Sequence, residues 1–168
     1  MKELYKVKKI SYEDTKPYLL GIHYAKRMPS VSYAYGLFLN NKLCGVVTYG
    51  KPPSATLRKG LAGEKNIKYV LELNRLCLKN NLKNEASILI SRSLKKLPKS
   101  IVIADKYRGV KNRAEAIRSD YGDKFYLKPR PRKHRYVFLI GNKSDKKKFK
   151  KQLNYEIKPY PKEKQNDR

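Results

Sequence analysis

The sequence predicts a mixed α/β (α+β) fold in which a mainly antiparallel sheet is flanked by helices and followed by a basic C-terminal extension. Three observations predict it. Two apolar runs joined by an asparagine turn read as an antiparallel hairpin over residues 33–49. A long apolar strand, a short loop and an amphipathic helix follow one another between residues 69 and 97. The chain has 168 residues, the length of one ordinary domain, and its basic residues crowd toward the end. The expected division is a domain over residues 1–141 and a basic extension with a polar tail over residues 142–168.

In order along the chain, Leu4 to Ile10 alternates apolar and basic residues as an edge strand does, and Ser11 with Asp14 three residues on forms a capping box for a helix. Tyr18, Leu19 and Ile22 give that helix an apolar face, and it should stop near Met28-Pro29, because the residue before proline disfavours the helical region. Tyr33–Leu39 and Leu43–Tyr49 are the hairpin strands around Asn40-Asn41-Lys42. Residues 50–66, with Pro52-Pro53 and three glycines, read as irregular. Tyr69–Leu78 reads as a buried strand with Glu72, Asn74 and Leu76 on one face and Leu73, Arg75 and Cys77 on the other. Asn84 can cap the following helix, whose Ala86, Leu89, Ile90, Leu94 and Leu97 repeat at helical spacing before Pro98. Ser100–Ala104 is a short buried strand, residues 110–121 a second amphipathic helix ending at Gly122, and His134–Ile140 the last strand. Phe149 and Leu153 should pin a short basic helix to the body.

Composition narrows the function. At 40% hydrophobic and 33% charged residues the chain can bury a core but must keep a highly charged surface wet, which excludes membrane-embedded and fibrous classes. No apolar run approaches the ~20 residues of a spanning helix, and the lysine-rich start lacks a signal-peptide core, so no membrane partner and a cytoplasmic location are expected. Cys44 and Cys77 lie in apolar runs without a CxxC, as free thiols do in a reducing compartment. Lysine and arginine number 41 against 14 acidic residues, a net charge of +27. Self-repulsion of that size is tolerated where a polyanion compensates it, so nucleic acid is the expected partner. Arg130, Arg132, Lys133, His134 and Arg135, set among prolines, suit the tracking of phosphates, which positions a protein without reading sequence.

Candidate site residues follow from local chemistry. The strand–loop–helix from Leu78 to Ser87 is the arrangement in which unpaired helix N–H groups meet an anion, making Asn84 and Ser87 cofactor-binding candidates; an asparagine-rich turn with an ordinary cap is the alternative. His23 can act as a general base or a metal ligand near neutral pH, or simply cap its helix. Arg75, in an apolar strand, must meet a carboxylate or a phosphate, either a ligand's or an internal partner's. Tyr33, Tyr35 and Tyr49 can stack on an extruded base or pack on the sheet.

The element order matches the architecture of acyl-CoA-dependent N-acetyltransferases, the GNAT fold. More specifically, HYAKRMPSVSYAYGLF, LCGVVTYGKPPS, YVLELNRLCL, SILISRSLKKLP and RKHRYVFLIG resemble the phage Mom-type DNA modification family, in order along the chain. The resemblance implies modification of the exocyclic N6 of adenine in double-stranded DNA, a carbamoylmethyl-type adduct that evades host restriction, with a phage gene acting in the cytoplasm of a bacterial host. It points to acetyl-CoA or another CoA thioester as donor and is compatible with a metal. By the same resemblance His23 and Tyr24 match the family's His-Tyr pair, Arg75 its ELNR arginine and Ser87 the serine opening its SxLIS helix. Near residue 103 the chain departs from the pattern. Family members carry a further segment with YAD and HLHG-like pieces, whereas here KSIV runs directly into IADKYRG. Two other readings remain beside a modifying enzyme: a non-catalytic DNA-binding relative of this fold, and a conventional CoA-dependent N-acetyltransferase.

Overall fold

The structure, a computed structural model, describes residues 4–107 and 133–156. Six strands form one sheet in the order β1 to β6: β1 Tyr5–Lys9, β2 Tyr33–Leu39, β3 Lys42–Gly50, β4 Val70–Leu78, β5 Ser100–Tyr107 and β6 Lys133–Ile140. Every neighbour is antiparallel except β4 with β5, which is parallel. This is the expected mixed α/β sheet, and it is consistent with a GNAT-like arrangement. The hairpin turn rests on Asn40 and Asn41 at φ 48° and 62°, the positive values a two-residue turn demands.

Helices cover both faces. The first, α1 (Tyr12–Lys16), starts in the predicted Ser11/Asp14 capping box and runs into a π-helical turn over Pro17–Ile22. It ends at His23, not near Met28: the His23 backbone is already extended at ψ 135°, its N–H closing the turn on the Tyr18 carbonyl at 2.8 Å. Tyr18 and Leu19 are buried against Val46 and Cys77, but Ile22 is half exposed, because the wider turn rotates it off the apolar face. Residues 50–66 are not irregular. Ser54 accepts the Leu57 amide and starts α2 (Ala55–Ala62), which buries Leu61 and Ala62 and is followed by a 3-10 turn over Glu64–Tyr69. The third helix, α3 (Glu85–Leu94), packs Ile88, Leu89 and Leu94 on the sheet face opposite α1. The last, α4 (Lys143–Gln152), has the Asn142/Asp145 capping box and inserts Phe149 beside Val70, Ile101 and Ile103. Val110–Tyr121, expected as a helix, lies outside the described residues.

Strand β4 breaks the strict alternation read from the sequence. Thr48 pairs with Arg75 but Tyr49 with Leu73, so Asn74 is an extra residue in β4, a β-bulge. Leu71, Leu73, Leu76 and Leu78 therefore all pack with the α3 core, while Val70 and Cys77 lie in the cores of the other face. The bulge puts Arg75 on the face of Glu72, contrary to the alternating assignment, and parts Leu73 from Cys77. Strands β4 and β5 pair only from Val70/Ile101 to Glu72/Ile103. Beyond that point β4 stays with β3 and β5 with β6, so the two parallel strands leave an opening between their carboxyl ends.

Candidate active site

The opening lies on the face that carries α1. The loop leaving the π-helical turn brings His23 over β4, close enough for the Arg75 charge to act on the imidazole. His23 is buried, and its pKa is held below the ordinary imidazole range, first by burial and then by the Arg75 guanidinium. Its Nδ1 accepts the Ala25 amide at 3.1 Å, so the neutral ring carries its proton on Nε2. The backbone of His23 caps the π-turn, as the capping alternative held, while the ring remains available as a hydrogen-bond donor. As placed, Nδ1 is engaged and His23 is a donor in preference to a general base.

Tyr24 stacks on His23 at a ring distance of 4.4 Å and is 70% exposed. That exposure makes it the aromatic face offered to solvent at this site. Tyr35 and Tyr49, considered for base stacking, instead belong to the core, with hydroxyls on the Lys96 carbonyl and on Ser93 Oγ; Tyr33 is half-buried against the same core.

Arg75 is half-buried, and one terminal guanidinium nitrogen donates to the Asn74 carbonyl at 2.6 Å. Its Nε is buried with no hydrogen-bond partner, and among the described residues no carboxylate forms an ion pair with it. An orphaned charged donor is costly, so this one argues for a ligand anion over an internal pair. Glu72 does not serve that role: its carboxylate acts on Arg135.

The loop from His23 to Ser32 is tied down by Tyr49 and by Asn74, Thr48 and Gly50, three residues the sequence reading did not single out as functional. Asn74 Nδ2 donates to the Ser30 carbonyl at 2.7 Å, Thr48 Oγ1 donates to Asn74 Oδ1 at 2.6 Å, and the Ser32 amide donates to the Tyr49 carbonyl at 2.8 Å. Gly50 permits the approach, because a Cβ there would overlap the Ser30 carbonyl oxygen. The available signal was the polar Asn74 inside an apolar strand, where asparagine is disfavoured unless it bulges.

Asn84 and Ser87 lie at the start of α3, on the loop that was expected to hold a phosphorylated cofactor. Asn84 takes a left-handed conformation at φ 72° and its side chain makes no cap bond; Ser87 Oγ donates back to the Asn84 carbonyl at 3.0 Å. The turn is filled by Glu85, 1% exposed, whose carboxylate accepts the Leu82 amide at 2.9 Å and the Tyr5 hydroxyl at 3.1 Å. A CoA pyrophosphate does not fit this first turn as it stands, since it would meet a buried carboxylate already using a loop amide.

Of the expected DNA-contacting residues, Arg130 and Arg132 lie outside the described residues, and Lys133 and His134 open β6. Arg135 forms a bidentate pair with Asp105, at 2.8 and 2.9 Å, which raises its pKa further and ties its fork to the protein. One basic face among the described residues is that of α4, where Lys143, Lys146, Lys147, Lys148, Lys150 and Lys151 are all exposed. Its one acid, Asp145, is taken by the capping box. Among the described residues no cluster of three metal-ligating side chains occurs, and no helix is long and apolar enough to cross a membrane.

Comparison with known families gives one match: residues 4–106 fit the model of the Mom protein family. The matched span contains His23, Tyr24, Arg75, Asn84 and Ser87, and it ends just past the departure near residue 103; the 132–141 stretch that also resembles the family falls beyond it. No curated protein matches the chain.

Proposed function

The chain belongs to the Mom protein family, and on that premise we propose that it is an enzyme modifying DNA at the exocyclic N6 of adenine, with a carbamoylmethyl-type product that blocks restriction in a bacterial host. The observation that carries the reading to particular residues is the orphaned Arg75 Nε beside His23 and Tyr24, at the opening between β4 and β5 and within the matched span.

Chemistry on a duplex base requires the base to leave the stack. The exposed Tyr24 ring, already stacked on one face by His23, offers its surroundings to an extruded adenine; base–aromatic stacking contributes about 1–3 kcal/mol. Arg75 holds an anionic group, a carboxylate or phosphate of donor or DNA, through its guanidinium, whose Nε no protein group satisfies. His23 is neutral at pH 7 and donates from Nε2 to an oxygen on which negative charge develops. No step here runs through CoA, whose pyrophosphate the α3 turn does not fit.

Duplex DNA is held by charge. The six lysines of α4 form a face suited to successive phosphates and carry no apolar residue for lipid, since Phe149 is buried. Nucleoside mass spectrometry of plasmid DNA from cells expressing the chain tests the activity. A modified deoxyadenosine absent from vector controls is the expected result; its absence, with the protein folded and bound to DNA, would favour the non-catalytic reading.

A further inference from the structure

We infer that Asn74 is the positioning residue of this site: in the β4 bulge its side chain fixes the loop that carries His23 and Tyr24, while its backbone carbonyl holds the guanidinium of Arg75. The inference rests on the proposed site for its functional meaning, but its geometry stands independently. The Asn74 carbonyl accepts from Arg75, and its side-chain amide donates to the Ser30 carbonyl. Thr48, paired with Arg75 across the ladder, holds the amide in that orientation by donating to Oδ1. The bulge is what makes the double contact available. It turns the Asn74 side chain toward the loop and returns the next residue, Arg75, to the face where His23 lies.

Other side chains at this position cannot hold the loop in this way. Aspartate keeps the acceptor for Thr48 but sets a carboxylate oxygen against the Ser30 carbonyl, and alanine loses both bonds. With the tether gone, the segment from Tyr24 to Ser32 keeps the Ser32–Tyr49 backbone bond but loses its hold near Ser30, so His23 gains water and its distance from Arg75 becomes variable.

The test reads His23 directly. The chain has two histidines, so a His134→Gln background leaves His23 as the single imidazole signal in proton NMR. In that background His23 should titrate below the ordinary value of about 6.5 and carry the ring-current shift of Tyr24. Asn74→Ala should move the midpoint up toward about 6.5 and diminish the ring-current shift, with the far-UV spectrum retained. Thr48→Val, which keeps the amide but frees its orientation, should move both in the same direction by less, and it decides the matter if Asn74→Ala does not fold. An unchanged His23 midpoint and shift in the folded Asn74→Ala chain, or in Thr48→Val where that must decide, would overturn the inference. Both variants should also reduce adenine modification several-fold. A wild-type chain without modifying activity would refute the proposed function yet leave the NMR result to judge the clamp.

Discussion

Replacing Arg75 with methionine separates a ligand-binding arginine from a structural one, because the two differ in what the fold loses. Arg75→Met keeps the length of the side chain and removes the cation. In the folded chain the guanidinium gains one charged hydrogen bond, to the Asn74 carbonyl, and leaves Nε buried without a partner. A hydrogen bond from a charged group contributes about 1.5–3 kcal/mol, and an unsatisfied buried donor costs about 1–3 kcal/mol. The two nearly cancel, so the net change should lie within about 2 kcal/mol of zero by these same magnitudes. At roughly 2–4 °C per kcal/mol for a domain of this size, the midpoint of thermal unfolding should move by no more than about 8 °C. Breaking a buried structural ion pair would instead cost about 3–5 kcal/mol, a fall of about 6–20 °C, so the unfolding free energy is the quantity that decides. Thermal unfolding followed by circular dichroism gives the number, and mass spectrometry of cellular DNA should show that adenine modification is gone. A loss of 3 kcal/mol or more, or full modification by the variant, would refute the assignment of Arg75 to a ligand anion.

Three further outcomes follow from the same structure. Gly50→Ala drives a methyl group into the Ser30 carbonyl, so stability should fall by about 1–3 kcal/mol in urea unfolding and modification should be lost while DNA affinity is kept; an unchanged urea midpoint would contradict the close approach. Lys146→Glu, Lys147→Glu and Lys150→Glu together should lower the slope of log affinity against log salt by about 2.7 on every duplex sequence, as fluorescence anisotropy would show; an unaltered slope would place the DNA elsewhere. For His23, whose folded pKa lies below its unfolded value, the unfolded chain binds more protons between the two, so its contribution to stability is complete above about pH 6.5 and is lost as pH falls through the depressed folded value. Unfolding free energies from pH 8 to pH 5 should show that loss, and His23→Gln should remove that component; no difference between the two chains would mean that His23 is not buried as a neutral ring.

The elements with a local chemical cause were legible in the sequence. Asn40-Asn41 set the hairpin, Ser11 and Asp14 set the start of α1, and Phe149 anchored α4, each through a preference that acts within a few residues. The helix α2 was missed because the prolines and glycines around it outweighed Ser54, an ordinary N-cap whose apolar partners Leu57 and Leu61 pack only once β4 is in place. The end of α1 was misjudged because nothing local marks a π-turn, in which Tyr18 closes on His23. In the site, His23 and Arg75 were legible from their chemistry and Tyr24 only through the family resemblance, while the faces of β4 were assigned by strict alternation. The bulge at Asn74 is decided by pairing with β3 across about 25 residues of chain, a relation period-2 patterning does not contain. The same limit hid the Asp105 partner of Arg135, which arrives through the pairing of β5 with β6.

The proposed site of adenine modification is the group formed from His23, Tyr24 and Arg75 at the opening between β4 and β5. Its most direct test is the amount of modified deoxyadenosine in DNA from cells expressing, at equal levels, the wild-type chain, His23→Ala and Arg75→Met, with the salt-dependent DNA affinity of each protein measured alongside. The account predicts a modified nucleoside from the wild-type chain alone and nearly equal DNA binding by all three. Equal modification by either variant, or none by a wild-type chain that binds DNA, would contradict it.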